Sequence, residues 1–316
     1  MGIGKRNTDC KKEGCIMESE VRTKRRISLK ARETAAGYLF LLPNIIGFIA
    51  FSLIPVITAF FLSMTNWNGM QKTKFIGLKN FMDLFHHESF LIALKNTFVY
   101  AVTFVPLTLA VALAVAILLN QKLKAVKVYR AVFFMPYISS AVAISYVWAA
   151  LLNPTSGPIN MFLKTMGMEN PPMWLTSTQW AMATVVLISV WKNFGYYSII
   201  YLASLQGVPK HLEEAAKIDG ANRWQVFRHI TIPELAPVTF FCLIMAAICS
   251  FKVFDQVYVM TEGGPGQATT TLVQYIYTNS FQNYRMGYGS AAAVVLFAII
   301  FIVTLIQYRG QRKWND

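Results

Sequence analysis

Four polar side chains stand at helical spacing inside an otherwise apolar stretch of the chain. They are Ser189, Lys192, Asn193 and Tyr196, at positions i, i+3, i+4 and i+7, which share one face of a helix. A lysine within the hydrocarbon of a membrane costs about 2.5–3.5 kcal/mol on insertion scales, so its ammonium group needs a partner or water. This stripe is therefore a candidate lining for a solute pathway. The alternative, to which we give equal weight, is that Lys192 snorkels to an interface while the other groups join helices.

A second polar segment, residues 213–233, lies between two apolar runs late in the chain. Pro209 suits the first turn of a short helix, and Glu214 then lies near the positive end of the helix dipole. Gly220 can end that helix, because the residue after a helix often needs a positive φ. Asn222 can cap a following helix. The pattern predicts a compact helix–turn–helix projection.

The sequence offers little for enzymatic or metal chemistry. It contains no GxxxxGK[ST], HExxH or GxSxG motif, so the chain is not itself an ATPase, and we expect no catalytic residue and no metal site. The pair His86–His87 is more typical of solvated side chains than of metal ligands. The cysteines are too few and too scattered for a disulfide framework; they are Cys10, Cys15, Cys242 and Cys249.

The composition is that of an integral membrane protein. Of 316 residues, 55% are hydrophobic and only 14% are charged, against about 25% charged in soluble proteins. Six windows nearly free of charge can each supply the ~20 apolar residues that a spanning helix needs. They are Thr34–Gln71, Asn96–Gln121, Ala131–Leu163, Asn170–Pro209 with Lys192 inside it, Leu235–Phe251 and Met286–Tyr308. We expect the fifth helix to continue a turn or two beyond Lys252 and the uncharged stretch Gly263–Tyr284 to be a loop. Lys252 and Asp255, three residues apart, can neutralise each other, or alternatively they line an outer vestibule.

Basic residues predict the orientation in the membrane. Of the 29 Lys and Arg, 21 lie in residues 1–32, 122–130, 210–228 and 309–313. The positive-inside rule then places both termini and the 213–233 segment in the cytoplasm. We expect a basic cytoplasmic tail over residues 1–34 that touches anionic lipid, a transmembrane domain over 35–310, and a cytoplasmic tail over 311–316. We expect no cleavable signal peptide, and Met17 is an alternative translation start.

The 213–233 segment resembles the EAA loop of the membrane subunits of bacterial ABC importers. The matching residues are Glu214, Ala215, Ala216, Gly220, Ile230, Ile232 and Pro233 at the spacing of that loop, with Ile232 where the family usually has Leu. Phe75–Phe81, FIGLKNF, and the Gly263-Gly264-Pro265 loop resemble the carbohydrate branch of these permeases. The resemblance runs from about Tyr38 to Tyr308.

This resemblance implies a fold and a set of coupling residues. The fold is all-α, with six transmembrane helices of the type I ABC importer permease and a cytoplasmic coupling helix within residues 207–233. The coupling residues are Glu214, Ala215, Ala216, Asp219 and Gly220, which would seat in a groove of a cytoplasmic ATPase. The chain is similar to the larger maltose-type permease, but it lacks that relative's extra amino-terminal helices and large outer domain.

Carried over from the maltose-type relative, the substrate pathway takes in Tyr137, Ser189, Asn193, Tyr196 and Ser250, with Lys192 beside them. Aromatic faces can stack on a sugar ring while hydroxyl and amide groups bind its hydroxyls. Ala246 and Cys249 replace larger contacts of the relative, so this sequence leaves the identity of the sugar open.

The implied complex lies in the bacterial cytoplasmic membrane. Its other members are a second permease with its own EAA loop, two ABC ATPase subunits that bind ATP and Mg²⁺, and an extracytoplasmic solute-binding protein. This chain needs no cofactor of its own and no nucleic acid; it contacts lipid and a sugar. The alternative is a six-helix channel or ion-coupled carrier that acts without nucleotide. A membrane enzyme ranks last, because the spans lack paired acid and base groups.

Overall fold

The computed structural model describes residues 29–70, 72–121 and 124–312. Most of the predicted basic tail, residues 1–28, and residues 313–316 lie outside this part of the chain. The described residues form fifteen α-helices and three π-helical turns, with one isolated β-bridge between Thr65 and Phe75. The α-helices are α1 Leu29–Phe48, α2 Ile54–Ser63, α3 Lys79–His86, α4 Glu88–Leu119, α5 Val126–Ile138, α6 Ala141–Leu151, α7 Pro158–Thr165, α8 Ala181–Gly207, α9 Lys210–Ile218, α10 Arg223–Val226, α11 Ile232–Glu234, α12 Ala236–Phe251, α13 Asp255–Thr261, α14 Leu272–Tyr277 and α15 Met286–Arg312. The π-helical turns are Ile49–Leu53, Phe227–Thr231 and Thr278–Gln282.

Six membrane spans are present if each bent pair of helices counts as one span. Four continuous stretches are long and apolar enough to cross a membrane: Ala36–Ser63, Glu88–Leu119, Ala181–Gly207 and Met286–Gly310. The other two are α5 with α6, bent by 94°, and Arg223–Glu234 with α12, bent by 63°. The predicted all-α membrane fold is therefore confirmed, and two of its spans are broken.

The two bends have local causes. Pro136 lies inside α5, and Ser140 begins α6 as its cap, with its Oγ accepting from the backbone N–H of Ala143. Between the two helices, the backbone of Ser139 is extended rather than helical. In the other pair, Pro233 and Pro237 flank the break at Leu235, and neither can donate the backbone bond that an unbroken helix needs.

Two predictions about the chain after α12 are wrong. The fifth helix ends at Phe251, and Lys252 is its C-cap rather than part of a longer helix. The stretch Gly263–Tyr284 contains α14 and the turn Thr278–Gln282, so it is partly helical. Its Gly, Gln and Thr content concealed a short helix whose Leu272 and Tyr275 are buried.

The chain divides into two compact units, residues 1–55 and residues 56–316. In the first unit the described part is helical from α1 through the turn Ile49–Leu53 into the start of α2. In the second unit α8 is the most enclosed of the continuous spanning helices: 61% of its apolar 18-residue stretch is buried, against 39% for α4 and 22% for α15. A hydrophobic core joins α4, α8 and α12, where Ala112, Ala116 and Ala246 are fully buried. Small side chains allow these helices to approach closely.

Candidate functional site

An aromatic pair and a lysine meet where α5 packs on α8. The rings of Tyr137 and Tyr196 stack with centroids 4.5 Å apart and planes inclined by 16°. The Nζ of Lys192 donates to the backbone oxygen of Tyr137 at 3.2 Å and lies 5.6 Å from that ring's centroid. Lys192 is only 7% exposed, whereas Tyr137 is 36% exposed. The arrangement is a partly exposed aromatic stack with a buried lysine beside it.

Close approach of the two helices depends on Gly195. A Cβ added at this residue would overlap the backbone oxygen of Phe133 on α5. The neighbouring side chains add to the contact, since Phe133 and Phe194 pack edge to face with centroids 5.9 Å apart. Glycine therefore sets the helix spacing at which Tyr137 and Tyr196 can stack.

The structure does not bring all six predicted pathway residues to one open surface. Ser189 and Ser250 are fully buried, and their hydroxyls donate to backbone oxygens of their own helices at 2.8 and 2.7 Å. The amide of Asn193 is half-buried and donates to the backbone oxygen of Ser189 at 2.7 Å. In this conformation Tyr137 is exposed, Tyr196 and Asn193 are half-buried, and the two serine hydroxyls are bonded within their own helices.

The predicted i, i+3 pairing of Lys252 with Asp255 does not form. Lys252 and Asp255, both described, form no ion pair, although their spacing suggested one. The helix α12 ends at Phe251 and α13 begins only at Asp255, so the i, i+3 geometry of a continuous helix is lost.

The EAA segment has the predicted helix–turn–helix form. The helix α9 ends at Ile218, and Gly220 follows with φ of +81°. The backbone N–H of Ala221 donates to the oxygen of Ala216 at 2.9 Å, the six-to-one bond of a Schellman cap. Gly220 is therefore required by backbone conformation as well as by any partner.

The second half of the segment begins with a capping box at Asn222. The Oδ1 of Asn222 accepts from the N–H of Gln225 at 2.9 Å, and the Oε1 of Gln225 accepts from the N–H of Asn222 at 2.7 Å. These reciprocal bonds fix the turn between α9 and α10. The capping box therefore fixes the position of α9, with its acidic and small residues, relative to α10.

The predicted coupling residues lie on the surface of the EAA segment. Glu214, Ala215, Asp219 and Gly220 are exposed, and Ala216 is half-buried. A cavity of about 330 Å³ lies between α9 and the following turn, with Asp219, Gly220 and His229 in its lining.

Sequence reasoning missed two apolar side chains on the same projection. Ile218 is 87% exposed and Trp224 is 64% exposed. Large apolar groups exposed beside charged ones are typical of a protein contact. The sequence could have revealed them, because they are large apolar residues within a short polar segment.

Known proteins match this chain over most of its length. The family model described as the inner membrane component of binding-protein-dependent transport systems matches residues 109–315. The probable ABC transporter permease protein YesP of Bacillus subtilis (strain 168) is 38% identical over 287 residues, covering 90% of this chain and 92% of the relative. The lactose transport system permease protein LacF of Rhizobium radiobacter is 36% identical over 296 residues, covering 92% and 99% of the two chains.

A solved structure gives the same fold. One chain of a bacterial ABC transporter involved in the import of the acidic polysaccharide alginate superposes with a TM-score of 0.79 at 26% identity. The match covers 90% of this chain and 97% of that one, and it identifies the bent-span architecture as the type I ABC importer permease fold. The chain therefore belongs to the family of inner membrane components of binding-protein-dependent transport systems.

Proposed function

We propose that this chain forms, together with a second permease subunit, the membrane pathway of an ATP-driven importer for a sugar or oligosaccharide. Two relatives support the substrate class, since one is named for lactose transport and another takes part in alginate import. The stacked rings of Tyr137 and Tyr196 support it chemically, because an aromatic face can pack on the apolar face of a sugar ring. The Nζ of Lys192 lies 5.6 Å from the centroid of the Tyr137 ring, and Asn193 is on the same face of α8, three residues before Tyr196.

The observation that carries the proposal is that one helix joins the pathway to the EAA segment. Tyr196 lies on α8, which ends at Gly207 only three residues before α9 begins. Gly207 lies eleven residues after Tyr196 on this helix, a distance of about 16 Å at 1.5 Å per residue. A displacement of the EAA segment is therefore transmitted along α8 to the aromatic pair.

The proposed cycle is alternating access. Two cytoplasmic ATPase subunits, which bind ATP and Mg²⁺, close on nucleotide and move the EAA segments, and the spans then rock around the pathway. Glu214 would meet a basic residue of the ATPase, while Ala215, Ala216, Asp219 and Gly220 allow close approach. The binding protein delivers sugar on the opposite side of the bacterial cytoplasmic membrane, and both termini are cytoplasmic.

A charge reversal tests the coupling role. Glu214→Lys should leave the tagged chain inserted and abolish both sugar uptake and sugar-stimulated ATP hydrolysis, because it repels a basic partner. Glu234→Lys is the matched control: Glu234 is also exposed but follows the predicted contact region, so uptake should stay near the wild-type rate. Uptake by cells is measured with labelled lactose, maltose, trehalose and an alginate oligosaccharide, and copurifying subunits are counted. Normal uptake by the Glu214 variant, or uptake with no copurifying ATPase, would contradict the proposal.

A further inference from the structure

A polar cavity of about 410 Å³ lies apart from the aromatic pair, at the far end of α4. Every residue that lines it carries a hydrogen-bonding side chain, in a chain that is 55% hydrophobic. The lining residues include Ser89, Glu262, Gln274, Asn283 and Arg285. A cavity of this size is within the range of small-molecule sites, about 300–1,000 Å³.

One lining side chain is buried without a partner. Gln274 on α14 is 5% exposed, and its Oε1 makes no hydrogen bond to any described residue. A buried polar atom left unpaired costs about 1–3 kcal/mol. The amide lies close to the Gly263 backbone, since a Cβ added at Gly263 would lie 2.8 Å from the Gln274 Nε2. An unpaired acceptor in a polar wall indicates that another group completes the site.

The wall around Gln274 is preorganised by bonds between distant parts of the chain. The Nδ2 of Asn96 donates to the backbone oxygens of Gln267 and Thr270 at 2.8 and 3.1 Å. The Nε2 of Gln267 donates to the Oγ of Ser89 at 3.1 Å. These bonds fix the loop to α4, so the cavity has a set shape.

On the other wall of the cavity, Arg285 and Tyr275 each contact Tyr288. The guanidinium of Arg285 lies 4.2 Å from the ring centroid of Tyr288. The hydroxyls of Tyr288 and Tyr275 are 2.9 Å apart, and burial raises the pKa of Tyr275, so this phenol stays neutral at physiological pH. Glu262 and Asn283 are exposed at the rim.

The cavity lies at the opposite end of the molecule from the EAA segment. Ser89 is in the first turn of α4, whereas Asn120, just after the end of α4, lines a separate cavity with Arg223 of the EAA segment. The 32 residues of α4 span about 48 Å at 1.5 Å per residue. With the EAA segment in the cytoplasm, the cavity faces the side from which substrate arrives.

We propose that this cavity is an entry site that binds one sugar unit of the incoming substrate before it reaches the aromatic pair. The inference rests on the proposed sugar-import function and adds a second site to it. Sugar hydroxyls both donate and accept, so they match a lining of amides, hydroxyls and charges of both signs, whereas a simple ion would use one sign only. The unpaired Gln274 Oε1 accepts from a sugar hydroxyl, and Asn283 contributes at the rim.

The test uses the complete transporter in nanodiscs without its binding protein. The probe is the sugar that wild-type cells import best from lactose, maltose, trehalose and an alginate oligosaccharide, and its dissociation constant is measured by ligand-observed NMR. Gln274→Leu should weaken binding at least fivefold while the melting temperature stays equal or rises, because the buried unpaired acceptor is removed. Tyr196→Ala should retain binding at this site. If Gln274→Leu fails to assemble, Asn283→Ala on the exposed rim should still weaken binding at least threefold.

Three results would overturn the entry site. One is a wild-type dissociation constant in both cavity variants, and another is loss of all binding in Tyr196→Ala. The third is unchanged sugar affinity with loss of ATPase stimulation by the binding protein, which would assign the cavity to docking of that protein. In each case wild-type uptake of the probe would still stand, so failure of the entry site is distinct from failure of sugar import.

Discussion

A methyl group at residue 195 has no room, because the backbone oxygen of Phe133 already occupies that position. Gly195→Ala must therefore push α5 and α8 apart. Overpacking of this kind costs about 1–3 kcal/mol, and a chain of this size loses about 2–4 °C in melting temperature per kcal/mol, so a fall of about 2–12 °C is expected. A shift of even half an ångström also stretches the 3.2 Å bond from Lys192 to Tyr137 beyond good geometry. Sugar uptake should fall with stability.

The same substitution at Gly207 is the matched control. Gly207 ends the same helix, and a Cβ there would have nothing within 4 Å. Alanine at a helical position is favoured over glycine by about 0.5–1 kcal/mol, so Gly207→Ala should melt at or above the wild-type temperature. The assay is thermal unfolding of the purified complex in nanodiscs, together with uptake. If Gly195→Ala melts as high as Gly207→Ala, the close contact between α5 and α8 is refuted.

Three further predictions concern single side chains. Asn80→Ala removes two 2.8 Å bonds from a buried amide to the backbone oxygens of Ser63 and Thr65, so unfolding of the purified chain should show a loss of about 2–4 kcal/mol; an unchanged melting temperature would contradict those contacts. Asn222→Ala removes the capping box, which costs about 0.5–2 kcal/mol locally, so hydrogen exchange should quicken after residue 222 and not in α8. Tyr196→Phe should keep the ring stack and most of the sugar uptake. Tyr196→Ala should lower uptake or change the sugar preference while the ATPase still copurifies. Equal uptake by the two variants would show that Tyr196 is not part of the pathway.

Local chemistry explains what the sequence could predict. The end of α9 at Gly220 and the cap at Asn222 depend on residues a few positions apart, so their types determine the outcome. The spanning segments follow from hydropathy alone. The EAA spacing is also contained within one short segment.

Tertiary contacts explain what it could not predict. The break after Pro136 depends on Ser139 and Ser140 leaving the helix, and hydropathy is the same on both sides of it. The hydroxyl of Ser189 shares the helical stripe of Lys192, but packing against other helices buries both of them. The polar cavity joins side chains from Ser89 to Arg285, and no short pattern links such distant positions.

The central claim is that the EAA segment lies in the cytoplasm and the polar cavity outside, and thiol labelling tests it directly. With the native cysteines replaced, Asp219→Cys and Asn283→Cys are treated with a membrane-impermeant maleimide in right-side-out and inside-out vesicles. Residue 219 should be labelled only in inside-out vesicles, and residue 283 only in right-side-out vesicles. Labelling of residue 219 in right-side-out vesicles would contradict it.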